Sequence, residues 1–298
     1  MLRDLAGGRD PQAEAALAVI AHLDADILLL GDVDWDAGGA GVAGLRARLD
    51  ALGAPYPHVV ALRPNAGIPS GADLDGDGRS GDARDALGYG RFTGDSGVVL
   101  LSRLPLGPVA DHSADPWAAG DLVPAGVTLP TSTVAQWVVP VAGTPLVLVT
   151  LAAGTPVFDG PEDRNGRRNA AELALAHRLA RAVRARGGMP VLMGRANVDP
   201  ADGQGPRAAM RRLLDDPALR DPRPRGAGGG GAGHRGDPTL DTAAWEGPGP
   251  LRVDYVLPDA RLRVVASGVL WPAPGEPMAD VVAAVGPGRA VWVDLALP

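Results

Sequence analysis

Apolar positions recur along the chain in two periods, which predict alternating helices and strands. From Pro11, the spacing of Ala16, Val19, Ile20 and Leu23 puts four apolar side chains on one helix face, with the proline suited to the first turn. A continuous apolar run follows at residues 26–31 (DILLLG), the pattern of a strand covered on both faces. Further strands are predicted at 97–102, 134–141, 145–151, 189–194, 251–258, 262–272 and 289–297, and helices near 45–52 and over 167–186. Residues 63–96 form a Gly- and Asp-rich stretch far longer than an ordinary connection, which predicts a functional or metal-ordered loop. Residues 222–239, containing GAGGGGAGHRGDP, are low in complexity and predict a flexible loop. No repeat and no linker divides the chain, so one α/β domain over 1–298 is the economical reading.

Composition narrows the chemistry. The chain has 298 residues, 46% hydrophobic and 21% charged, enough to bury a large core. Cysteine and lysine are both absent: all 28 basic residues are arginine, and 30 of the 35 acidic ones are aspartate. Disulfides, thiolate metal sites, Schiff-base chemistry and a phosphate-loop lysine are therefore excluded. A formal net charge of -7 argues against a chain built mainly to grip a nucleic-acid backbone, while leaving room for local basic patches. No apolar run reaches the ~20 residues needed to span a bilayer. The opening MLRDLAGGRDPQ lacks the apolar region of a signal peptide, so the chain as written is expected in the cytoplasm.

Carboxylates concentrate at two places. The strand at 26–31 delivers Asp32, Asp34 and Asp36 where α/β folds keep their chemistry, on one side of an extended segment. Asp73, Asp75, Asp77 and Gly78 match the first half of a calcium loop. Its twelfth position, normally Glu, is Arg84, with Asp82 or Asp85 as substitutes.

Several strings in order resemble the endonuclease/exonuclease/phosphatase superfamily, in particular its bacterial, often exported branch. They are ADILLLGDVDWD (25–36), PNAGIPSGADLDGDG (64–78), GYGRFTGDSGVVLLSRLPL (88–106), TPVFDGPEDRNGRRN (155–169), PVLMGRANVDPADG (190–203), and LRVDYVLP with SGVLWP (251–272). The resemblance implies a four-layer α/β/β/α sandwich of two mainly antiparallel sheets, and phosphoester hydrolysis with Mg²⁺ or Mn²⁺ held at strand ends. It also implies that the family's first strand, which donates an Asn near the metal, lies before the start of this chain. Export would follow if the start is truncated or mis-called.

The chain departs from that pattern where the chemistry sits. The family's metal-binding Glu falls on Asp32, and a family His falls at about Ala152. The family's Gly-Asp-Phe-Asn string reads Gly194-Arg195-Ala196-Asn197, so a cation replaces the Asp while Asn197 survives. Near the C-terminus the family's Asp and His fall on Pro287 and Gly288. Asn197 and Asp254 are then the remnants of the catalytic set, and Arg195 is expected to pair with Asp32 or Asp254. The segment with Phe158, Asp159, Glu162, Asp163, Arg164 and Asn165 is intact and is expected to cap the helix that follows it.

The expectation is a protein of this fold whose hydrolytic centre is impaired or inactive, with a phosphate-bearing small molecule or nucleotide as the ligand class. One alternative is an active Mg²⁺/Mn²⁺ phosphoesterase rebuilt from Asp32, Asp34, Asn197, Asp254 and His234. The other is a binding module that clamps phosphate with Arg195 and does not cleave it.

Overall fold

The computed structural model describes residues 8–229 and 233–298. The first helix, α1 (Pro11–Leu23), starts where the Asp10 carboxylate accepts the Ala13 N–H at 2.8 Å, and stops at Asp24 in the left-handed conformation. It leads into β1 (Ile27–Val33), which pairs antiparallel with β3 (Gly97–Ser102); β3 in turn pairs with the short β2 (His58–Val60). Helix α2 (Ala40–Ala51) connects β1 to β2.

The second sheet has five strands in the order β10-β7-β6-β5-β4, where β4 is Ala110–Asp111, β5 Trp137–Pro140, β6 Leu146–Ala152, β7 Met189–Arg195 and β10 Asp254–Pro258. Its pairings are antiparallel except β6 with β7, which run parallel because helix α3 (Arg164–Ala185) makes the crossover. A further helix, α4 (Arg207–Leu214), lies beside α3. Two small ladders complete the chain: β8 (Ala243–Trp245) with β9 (Gly249–Leu251), and β11 (Arg263–Leu270) with β12 (Ala290–Ala296), the last preceded by helix α5 (Ala279–Val285).

Strand alternation sorts the core into three seams, and these define the four layers. Ile27 and Leu29 of β1 and Val98 and Leu100 of β3 face the second sheet, meeting Trp137, Val139 and Leu148. The alternate residues Leu28, Leu30, Val99 and Leu101 face α1 and α2, against Leu17, Ile20, Leu45 and Leu49. On the far side of the second sheet, Val149, Leu151, Leu192 and Leu257 pack under Leu173, Ala176, Met210 and Leu213 of α3 and α4. The expected α/β/β/α sandwich is the observed architecture. Helix α5 joins the α1 side, where Gln12 Nε2 donates to the Val285 carbonyl at 2.7 Å.

Boundaries depart from the sequence pattern in informative places. The predicted strand at 251–258 is broken, because the Val253 N–H turns to Thr242 Oγ1 (2.9 Å) and the Arg252 N–H to Asp199 Oδ2 (2.7 Å) between β9 and β10. In the Gly-rich stretch, Gly226 N donates to Thr239 O (2.9 Å) and Ala227 N to Trp271 O (2.8 Å), so its described flanks lie against β11 and the turn at 238–240. Residues 230–232 of that stretch, and residues 1–7, lie outside the described residues.

The sandwich is tied through the α3 side by one buried carboxylate. Glu172, 2% exposed, accepts from Thr133 N (2.6 Å), Thr133 Oγ1 (2.7 Å) and Gly154 N (2.8 Å). Burial pushes its carboxyl up to about 7 against the pull of Arg168, one helical turn earlier. Arg168, itself pushed down to about 10 by burial, donates to the carbonyls of Pro130, Thr131 and Ser132. Glu172→Ala strands three donors and one buried cation, so it is expected to cost about 3–5 kcal/mol in urea unfolding. A loss below about 1 kcal/mol would contradict this role for Glu172.

Candidate functional site

Asp32, Ala152, Arg195, Asp254 and Gly288 gather at one end of the sandwich, where β1, β6 and β7 end and β10 begins. Register places Arg195, the last residue of β7, opposite Asp254 on β10 and beside Ala152 on β6. Gly194 sets this up: its φ is +129°, and a Cβ there would meet the Leu151 carbonyl oxygen at 2.0 Å, so only glycine lets the two strands approach. Asp32 arrives from β1 by a different device. The register shifts between Leu30 and Val33 and Asp32 takes a φ of +56°, which turns its carboxylate toward β7.

Arg195 joins the two acids. Its Nη1 donates to Asp32 Oδ2 at 2.7 Å and its Nε to Asp254 Oδ1 at 3.0 Å. Asp254 and then Asp32 hold the guanidinium above its ordinary value, so it stays charged. Burial pushes the Asp254 carboxyl up, against the opposing pull of Arg195 and of Thr242 Oγ1, which lies 3.3 Å from Asp254 Oδ2. Asp32 is the more open partner, its side chain 67% exposed against 18% for Asp254.

Gly288 lies against the same cation: a Cβ at Gly288 would be 3.2 Å from Arg195 Nη2. A larger side chain at 288 and the guanidinium thus compete for one space. Pro287 contributes only its carbonyl, which accepts the Ala244 N–H at 2.9 Å. Asn197, with a φ of +55°, spends its Nδ2 on the Ala153 carbonyl (2.7 Å) and so pins the turn after β6. These residues do not fit a divalent ion. Both carboxylates already face a guanidinium, and Ala152, Pro287 and Gly288 offer no ligating side chain.

Two expectations about neighbouring acids need correction. Asp32, Asp34 and Asp36 do not share one side of an extended strand, because β1 ends at Val33 after its irregularity. Asp36 instead caps α2, accepting from Ala40 N (2.9 Å) and Gly41 N (2.8 Å), and the Gly41 bond leads in holding its carboxyl below the usual range. His234 does not reach Asp32 or Asp254 as a rebuilt site requires. Its Nδ1 faces Asp202 Oδ2 at 3.2 Å and its Nε2 faces Asp241 Oδ2 at 3.0 Å.

In the long loop, the acids curl around their own backbone. Asp73 accepts from Gly76 N and Gly78 N, Asp75 from Asp77 N, and Asp77 from Arg79 N. Asp85, 1% exposed, accepts from Leu74 N (2.7 Å) and Gly81 N (2.9 Å). Carboxylate oxygens of Asp73, Asp75 and Asp85, and of Asp75, Asp77 and Asp82, lie within 4.8 Å of one another. Asp85 belongs to the first of these groups and Asp82 to the second. The 155–169 segment caps α3 as expected, through Asp159, whose Oδ2 accepts the Asn165 N–H; Asp163 makes no side-chain cap bond. Phe158 in that segment is 83% exposed.

The layered fold is an α/β/β/α sandwich with this ion-paired cluster at its strand ends. The sequence pattern of the Endonuclease/Exonuclease/phosphatase family matches residues 3–280, and the chain belongs to that family. Among solved structures it is similar to an endonuclease/exonuclease/phosphatase from Beutenbergia cavernae (20% identity, TM-score 0.58), over 97% of this chain and 66% of that one. The human Nocturnin catalytic domain with bound sulfate matches at 14% identity and TM-score 0.54, over 97% of this chain and 87% of that one. A Neisseria 3' phosphatase, NExo, bound to a product DNA hairpin, matches at 17% identity and TM-score 0.54, over 91% and 89%. At these identities the likeness shows the fold. Among curated proteins, none matches the chain.

The His234 contacts carry a pH dependence. Nε2 hydrogen-bonds Asp241, while Nδ1 lies 3.2 Å from Asp202 Oδ2 in an ion-pair contact that is not a hydrogen bond; two carboxylates beside one ring favour the imidazolium by charge. Burial alone would lower the His234 value, but Asp241 and Asp202 overcome it and hold it above the ordinary 6.5. The stability it contributes is therefore full below about pH 6.5 and is lost as pH rises through the raised value. Urea midpoints measured from acid to alkaline pH are expected to fall over that window in the parent and to stay flatter in His234→Gln. Equal slopes in the two proteins would contradict the imidazolium bridge.

Proposed function

We propose that this chain keeps the phosphoesterase scaffold without its hydrolytic chemistry, and that the Arg195 ion pair stands where a divalent ion would bind. The supporting observation is the single guanidinium within hydrogen-bond reach of both Asp32 (2.7 Å) and Asp254 (3.0 Å). Phosphoester hydrolysis needs a cation free to neutralise the phosphate, a base to raise a hydroxide and help for the leaving oxygen. Here the cation is fixed to two protein carboxylates. The positions where a base was expected are Ala152 and Gly288.

A phosphate-binding role without cleavage is the weaker reading, because two carboxylates against one guanidinium leave the cleft with negative charge for an incoming phosphate to meet. Relatives such as the Neisseria 3' phosphatase bound to a DNA hairpin make a phosphate-bearing ligand the natural class for this cleft. The Asp73–Asp85 loop supports a separate, structural role as a Ca²⁺ site, with Asp85 as the buried ligand.

Turnover of an aryl phosphodiester with Mg²⁺ or Mn²⁺ is expected at background for the parent. Ala152→His, Arg195→Asp, Pro287→Asp and Gly288→His together are expected to raise it. Parent turnover that Asp32→Ala abolishes would overturn the proposal. For the loop, Ca²⁺ is expected to raise the melting temperature relative to chelator and Asp75→Asn to remove that gain; no response to Ca²⁺ in the parent rules the site out.

A further inference from the structure

The chain is acidic as a whole, yet its outer layer on the α3 side is basic. Helix α3 carries six arginines and α4 three, against one acid, Glu172, which is buried and already paired. A cavity of about 160 Å³ opens between these two helices, on the face turned away from the second sheet. Its floor is apolar, from Leu173, Ala209 and Leu213, and is continuous with the core beneath. Exposed Ala174 forms part of its edge. No residue of the strand-end cleft takes part.

Two cations line this cavity without a counter-charge. Arg178 on α3 and Arg212 on α4 are both exposed, and among the described residues neither has a hydrogen bond or ion pair. The remaining polar wall is spoken for: His177 Nε2 contacts Asp216, and Asp216 also takes Arg181 Nη1 at 3.3 Å. The nearby acid is thus already engaged by His177 and Arg181, and the two exposed arginines are left without a protein partner. Guanidinium groups bind carboxylate and phosphate oxygens through paired N–H donors, and their alkyl stems tolerate an apolar neighbour.

We propose that the α3–α4 groove binds a small amphiphilic anion, with a short apolar chain on the Leu173–Leu213 floor and an oxyanion head between Arg178 and Arg212. At about 160 Å³ the cavity is close in size to an apolar cavity of ~150 Å³ that takes up one benzene, so it suits a chain of roughly six carbons rather than a long lipid tail. Neither half of the groove is sufficient alone. An inorganic anion would leave the floor wet, and an uncharged alkyl chain would leave both guanidinium groups unmatched.

Isothermal titration tests this with hexanoate and hexyl phosphate, set against hexanol, acetate and inorganic phosphate. Binding of at least one of the two amphiphiles is expected, at least about tenfold tighter than of its head or its tail alone. Comparing the two identifies the head the arginines prefer. The double variant Arg178→Gln, Arg212→Gln is expected to weaken binding by about tenfold or more. Ala174→Phe, at an exposed edge position, is expected to block the groove with both charges in place, and circular dichroism checks that each variant keeps its helices. The proposal is overturned if neither amphiphile binds the parent, if inorganic phosphate or acetate binds as well as the corresponding amphiphile, or if folded variants of both kinds bind as the parent does.

Discussion

The strand-end cleft is organised by one interaction, the Arg195 guanidinium held between Asp32 and Asp254. Without a cation there, two carboxylates would approach each other in a partly dry site, and one of them would have to take up a proton. Removing Arg195 alone is therefore expected to be costly chiefly through Asp254, whose carboxylate is largely buried and would lose its counter-charge, and little through the exposed Asp32. The same group explains its surroundings. Glycine at 288 leaves room for the guanidinium, Gly194 lets β7 close on β6, and the irregular end of β1 turns Asp32 inward.

The rest of the fold does not depend on what the cleft can do. The three apolar seams lie between the layers, and the strand ends that form the cleft lie beyond them. A sandwich of this kind can lose ligands at its rim while its core stays intact, because packing energy and site chemistry reside in different residues. Glu172 and Arg168 show the other use of buried charge in this protein. Their polar atoms are spent on the backbone of residues 130–133 and 154, which holds α3 on the sheet and supplies no open chemistry.

Much of the architecture was legible because strand alternation and helix periodicity are strong local signals. The strand at 97–102 is found where the apolar run placed it, and its two-sided burial agrees with the absence of polar residues before Ser102. Short elements were not legible. Helix α4 is eight residues and rich in arginine, and β8 and β9 are three residues each beside Gly247 and Pro248, so none carries enough pattern to stand out. At the site, a pair of Arg195 with Asp32 or Asp254 was expected because a guanidinium stands where the resembled pattern has a carboxylate; that it contacts both acids is seen only in the structure. The capping role of Asp36 was not expected, because a turn after β1 redirects a residue that alternation alone would align with Asp32. The His234 bridge was equally hidden: its partners Asp202 and Asp241 come from separate loops, and no spacing links them.

The central claim, that an ion pair occupies the place of a catalytic metal, is tested most directly by diffraction from crystals soaked in Mn²⁺, read at the manganese absorption edge. The account predicts no anomalous peak between Asp32 and Asp254, with the Arg195 guanidinium ordered against both carboxylates. A manganese peak within ligand distance of those two carboxylates, with Arg195 swung away, would contradict it.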